Sequence, residues 1–144
     1  MSAVDDFDQV LEQCQQALRE FPKGNPEPMK VMFSHREDVT LANPFGPPAH
    51  GWEHVAETID HASSLCRDGE LVGSEIVAKY VTAELAYVVE IERPEAKLGG
   101  REEITPWALR ATMIFRPEEG TWKIVHRHAD PITTPRAAES VIQQ

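Results

Sequence analysis

The spacing of apolar residues changes once along this chain, near Gly73, from steps of three and four to steps of two. Before it, Phe7, Val10, Leu11, Cys14, Ala17, Leu18 and Phe21 form one stripe, which predicts an amphipathic helix over residues 5–21. Pro22 and Gly24 stop it. A shorter helix follows, with Asn25 as cap, Pro26 in its first position, and Met29, Met32 and Phe33 on its buried face. Val39–Leu41 reads as a short strand ended by the turn-forming run from Asn43 to Pro48. A third helix is predicted over 52–66, with Val55, Ile59, Ala62 and Leu65 or Cys66 inward and Asp68-Gly69 closing it. After Gly73, residues 76–81, 85–91, 104–115 and 121–128 read as strands, the last two joined by a hairpin at 117–120. Residues 94–100 read as a mobile loop. Helices first and antiparallel strands after predict an α+β fold, with three N-terminal helices covering one face of a curved sheet. Such a cone, open at one end, is a pocket.

Charge narrows the partners. The chain has 144 residues and a net charge of −10, so a phosphate backbone is repelled and nucleic-acid binding is not expected. No apolar run reaches the length of a membrane span, and the acidic start MSAVDDFDQ lacks the bases of a targeting peptide. The expectation is one cytoplasmic domain over 1–144, with 131–144 a polar tail. Residues 1–72 hold 13 acids and 5 bases, whereas residues 104–144 hold 4 acids and 5 bases, so anion-attracting groups concentrate in the last third. The two cysteines, Cys14 and Cys66, read as reduced thiols packed on helices.

Alternation divides the final hairpin into two faces. Leu109, Ala111, Met113 and Phe115 share one with Trp122, Ile124, His126 and His128. Ala108, Arg110, Thr112 and Ile114 share the other with Val125, Arg127 and Ala129. Either the arginines sit on a solvated face, or they line the pocket as two guanidinium groups suited to a carboxylate or enolate.

The segment VTLANPFGPPAHG at 39–51 resembles the corresponding stretch of bacterial ketosteroid isomerases, and GTWKIVHRH at 120–128 resembles the last strand of SnoaL-like proteins. It is also similar to the association domain of calcium/calmodulin-dependent kinase II. All belong to the nuclear transport factor 2-like superfamily, and the resemblance runs from about Asp5 to Asp130. It implies the cone fold, with Thr112, Val125, Arg127 and Ala129 on the concave face. Trp122, His126 and His128 would then lie on a convex face that makes a homodimer. The resemblance aligns the isomerase general base with Asn43 and the protonated aspartic acid with Thr112, and puts the oxyanion-stabilising tyrosine near Ala17. None is retained, so that reaction is not expected.

The remaining polar set is His35, Asn43, Tyr87, Arg110, Thr112 and Arg127. Tyr87 is read as inward with Leu85, Val89 and Ile91. If there is catalysis, His35 carries the proton, Tyr87 and Asn43 donate hydrogen bonds, and both arginines stabilise charge. His54, Glu57 and His61 fall at helical spacing, but no metalloprotease-type signature accompanies them, and neither metal nor cofactor is expected. Two readings stay open. One is a pocket for a small, anionic organic ligand, with or without isomerase, dehydratase or cyclase chemistry. The other is a non-catalytic dimerisation or accessory module with a vestigial pocket.

Overall fold

The computed structural model describes residues 3–142, and the side chains of residues 6–142. Helix α1 (Ala3–Glu20) carries the expected stripe: Phe7, Val10, Leu11, Cys14, Ala17 and Leu18 are all buried. Phe7 meets Phe115 and Trp122 edge-on at centroid distances of 4.8 and 5.5 Å, which anchors the helix on the sheet. A 3-10 turn (Phe21–Lys23) ends at Gly24, whose φ of 93° supplies the left-handed cap. Helix α2 (Glu27–Met32) follows, its entry held loosely by Asn25 Oδ1 accepting from Glu27 N at 3.4 Å. Helix α3 spans Trp52–Ser64 and buries Val55, Ile59 and Ala62.

The strands are β1 (Thr40–Ala42), β2 (Ala49–His50), β3 (Cys66–Val81), β4 (Ala86–Leu98), β5 (Ile104–Pro106), β6 (Leu109–Glu118) and β7 (Thr121–Asp130). Their order is β2-β1-β7-β6-β4-β3, with β5 paired to β4. All pairings are antiparallel except β1 with β7, which are parallel, so the α+β sheet is mixed rather than purely antiparallel. The three helices lie on its inner face, and the core of Phe33, Val88, Met113, Phe115 and Ile124 fills the space between. Among the described residues no helix is long and apolar enough to cross a membrane.

Several expected boundaries shift. Asp68-Gly69 does not close α3 but forms an irregularity inside β3, where Asp68 takes φ 55° and the register with β4 slips. Gly69 is needed there for space: a Cβ would lie on the Glu95 carbonyl oxygen and 2.7 Å from that of Pro22. The loop expected at 94–100 is mostly strand, since β4 continues through Pro94 to Leu98 between β3 and β5. The strand expected over 104–115 is broken into β5 and β6. The final hairpin turns on Glu119 and Gly120, both with positive φ (51° and 85°), which matches the twist of the flanking strands. Residues 131–142 are exposed and include one 3-10 turn, while residues 143 and 144 of the expected tail lie outside the described residues.

Candidate functional site

A single bulge decides which side chains enter the cone. Across β6 and β7, Ile114 pairs with His126 but Phe115 pairs with Ile124, so Val125 is an extra residue. The inner face therefore carries Trp122 and Ile124 before the bulge, then Arg127 and Ala129 after it. On β6 the inner residues are Ala111, Met113 and Phe115, and Arg110 and Thr112 point outward. Arg127 is thus brought inside without Thr112, and Trp122 is a core residue rather than part of a convex face.

On β4 the inner face is Ala86, Val88, Glu90, Glu92, Pro94 and Ala96, the reverse of the expected alternation. Tyr87 is exposed on the outer face, stacked on Tyr80 at a centroid distance of 5.7 Å. Glu90 and Glu92 are both buried. Apolar count favoured the face with Tyr87, Val89 and Ile91. The sequence signal that would have found the two acids is Arg127, a buried cation that needs a buried partner.

Arg127 and Glu92 form a bidentate pair, with Nη1 donating to Oε2 at 2.8 Å and Nη2 to Oε1 at 2.6 Å. The pair bridges β7 and β4 over the intervening β6, where Ala111 and Ala129 sit opposite each other and leave room. Burial pushes the Glu92 carboxyl up, but the Arg127 charge and its hydrogen bonds outweigh this and hold it below the ordinary carboxylate range. Glu90 lies two residues earlier on the same face. Burial, a hydrogen bond with Glu92 and that neighbour's negative charge raise its pKa to about 8, although the bond from Gln15 and the Arg127 charge oppose them. Gln15 Nε2 from α1 donates to Glu90 Oε2 at 2.8 Å, and no donor meets Oε1. At neutral pH, Glu90 therefore keeps its proton beside an ionised Glu92.

This polar seam reaches a cavity of about 80 Å³ between helices and sheet. Glu92 and Arg127 are its charged wall. The rest is largely apolar: Leu18 and Phe21 beside α1, Phe33 after α2, Ile59 of α3, and Trp107 and Leu109 leading into β6. Phe45 stands at its rim, 43% exposed. Asn43 also lines the cavity, its Oδ1 accepting from Phe45 N at 3.0 Å to shape the Asn43-Pro44-Phe45 turn. Cys66 contributes a thiol whose pKa is raised by burial, so it is a protonated wall group.

Of the residues expected at the site, the structure thus brings Asn43 and Arg127 together. His35 is exposed away from the cavity, stacked on Trp52 at 3.8 Å and donating from Nε2 to the Lys30 carbonyl at 2.9 Å. Arg110 is outside, its Nε donating to Asp130 Oδ1 at 2.7 Å. His128 Nε2 meets the other oxygen of Asp130 at 3.0 Å. With Arg110 outside and Arg127 matched by Glu92, a two-guanidinium anion pocket does not form. Burial and the nearby His128 lower the pKa of His126, which meets Thr40 Oγ1 at 2.7 Å through Nδ1 on the outer face.

A family model described as a SnoaL-like domain matches residues 10–133. Solved structures carry the same fold at low identity. A nuclear transport factor 2-like superfamily protein from Salmonella enterica is similar at TM-score 0.78 and 17% identity, covering 96% of this chain and 99% of its own. A ketosteroid isomerase-like protein from Erwinia carotovora gives 0.71 and 18%, over 90% and 96% of the two chains. A protein with a cystatin-like fold from Novosphingobium aromaticivorans gives 0.68 and 17%, over 98% and 91%. No curated protein matches the sequence significantly.

Proposed function

The chain belongs to the SnoaL-like family, and from that premise we propose that its cone binds a small, largely apolar organic molecule. The observation that carries this is the buried Glu92–Arg127 pair facing an otherwise apolar cavity. Desolvating two charges is costly, and well-packed apolar residues of similar volume often do as well or better for stability alone. Polar groups converging on an apolar cavity are what a ligand site requires. Asn43 and Arg127 are retained as ligand-contacting groups, joined by Glu92. Proton transfer of the isomerase, dehydratase or cyclase kind is the reaction class this arrangement suits, with Glu92 the carboxyl that meets the cavity and Glu90 a second carboxyl behind it. His35, Tyr87, Arg110 and Thr112 are assigned no part in it.

The working unit is proposed to be a homodimer formed through the outer sheet face. Tyr80 and Tyr87 are exposed there, and Val72, Ile76 and Val77 are exposed along β3, which ends the sheet. Covering them removes apolar surface and a strand edge from water.

The test is a thermal-shift screen of small ketones, alcohols, amines and carboxylates on the full chain, repeated on Leu109→Trp, which fills the cavity. A ligand at 100 times its Kd adds about 2.7 kcal/mol to the folded state. A shift in the wild type that vanishes in a folded Leu109→Trp supports the cone. No shift with any compound, or one that survives the substitution, refutes it.

A further inference from the structure

We propose that the ligand of this cone is an uncharged molecule that presents a hydrogen-bond acceptor, a ketone or ester oxygen, to the unspent N–H groups of Arg127. The support begins with a count of donors. A guanidinium carries five N–H groups. Two of them are spent on Glu92, one from Nη1 and one from Nη2. The other three, Nε–H among them, meet no acceptor among the described residues. Yet Arg127 is only 9% exposed. Glu90 Oε1 is the one polar side-chain atom among the described buried residues that is both sealed and without a partner, so Arg127 Nε is not sealed. The space that Arg127 lines is the cavity.

Donors without acceptors are costly to bury. Water can serve them in the open cone, and a ligand that takes its place must bring a lone pair of its own. The other polar side chains of the lining share this bias. Asn43 spends its Oδ1 on Phe45 N, and its Nδ2 has no partner among the described residues. Cys66 spends its thiol proton on the Ala62 carbonyl. Both Glu92 oxygens already accept from Arg127. The wall thus offers a ligand spare donors, while its acceptor side chains are engaged.

Charge disfavours both ionic alternatives. Glu92 lies 2.6 Å from the guanidinium and cancels its charge, and no other charged side chain lines the cavity. An ammonium or amidinium brings only donors, which would meet donors. A carboxylate is an acceptor, but its charge would be buried among apolar side chains beside Glu92, with no cation left to compensate it. A neutral carbonyl satisfies the open N–H groups without adding a charge. The cavity of about 80 Å³ is smaller than the roughly 150 Å³ that admits benzene in an engineered core, so the part of the ligand held inside the cone is small.

This assignment rests on the cone being the binding site, and the experiment separates the two. Butanone, propionate, propionamidinium and 2-methyl-1-butene share one branched skeleton but are a neutral acceptor, an anion, a cation and an apolar molecule. Each is titrated at pH 7 into the isotope-labelled full chain, Leu109→Trp and Arg127→Lys, with binding read from the amide and arginine Nε–H resonances. Probes this small bind weakly, so the ratios between them are the readout. Butanone should bind roughly tenfold tighter than each of the others and move the Arg127 Nε–H resonance, identified by its absence from Arg127→Lys. Arg127→Lys keeps a cation beside Glu92 without the planar fork, so it should lose the preference for butanone over 2-methyl-1-butene. If that variant does not fold, the wild-type ratios and the shift of one arginine resonance on butanone decide. Propionate or propionamidinium binding as tightly as butanone overturns the neutral assignment but leaves the cone as the site. So does 2-methyl-1-butene binding equally well, or bound butanone that moves no arginine Nε–H resonance. If no probe binds, or binding survives in a folded Leu109→Trp, both proposals fall.

Discussion

Arg127→Met is the perturbation most closely tied to the geometry of the interior. It removes a guanidinium that donates two hydrogen bonds, at 2.8 and 2.6 Å, to a carboxylate only 2% exposed. Methionine fills much of the vacated volume, so the loss falls chiefly on Glu92, left buried without its counter-charge. Breaking a buried pair from one side costs about 3–5 kcal/mol. For a domain of this length that is a fall in Tm of roughly 10–15 °C. The sign with pH is fixed by the same electrostatics. Without Arg127 the Glu92 pKa rises above its unfolded value, so its protonated folded form is favoured in acid and penalised as pH increases. The deficit against wild type should be largest near pH 8 and shrink towards pH 5. Arg127→Met/Glu92→Leu removes both charges and should recover most of the loss. Urea unfolding at fixed protein concentration, at pH 5 and pH 8, measures all three variants. A single variant within about 1 kcal/mol of wild type at pH 8, with no trend in pH, would refute a desolvated pair.

Other substitutions test separate parts of the reasoning. Glu90 has a folded pKa raised from 4.5 to about 8, so its stabilising contribution is present below pH 4.5 and lost as pH rises through 8. Wild type should lose on the order of 3 kcal/mol against Glu90→Gln between pH 5 and pH 8, read from urea midpoints, and parallel curves would contradict a protonated Glu90. Arg110→Ala removes an exposed pair with Asp130 and should cost under about 1 kcal/mol, with ligand affinity unchanged by calorimetry. Gly69→Ala forces a Cβ onto two backbone carbonyls and should destabilise by about 3 kcal/mol or more, and a folded variant of normal Tm would show that β3 can shift there.

The order of elements was legible because periodicity is a local property. The stripe from Phe7 to Leu18 buries whichever way the sheet twists, and Gly24 and Glu119-Gly120 announce their turns through backbone conformations few residues tolerate. The cone and its family were legible too, carried by the segment at 39–51 and the last strand. What could not be read locally was the direction of each strand's side chains. Strand β4 alternates equally well with Tyr87, Val89 and Ile91 inside or with Val88, Glu90 and Glu92 inside, and hydrophobicity chose the wrong set. The extra residue at Val125 reverses the face of everything after it on β7, which brought Arg127 inward while its neighbours on β6 kept their own phase. A one-residue slip exchanges the two faces of a strand, and no single strand carries the information to exclude it. Only the assembled sheet does. Arg127 can be buried because β4 turns Glu92 towards it, and Glu92 can be buried for the same reason. Sequence determined that this chain would enclose a cavity between helices and a sheet. The pairing of charges across strands decided which residues that cavity contains.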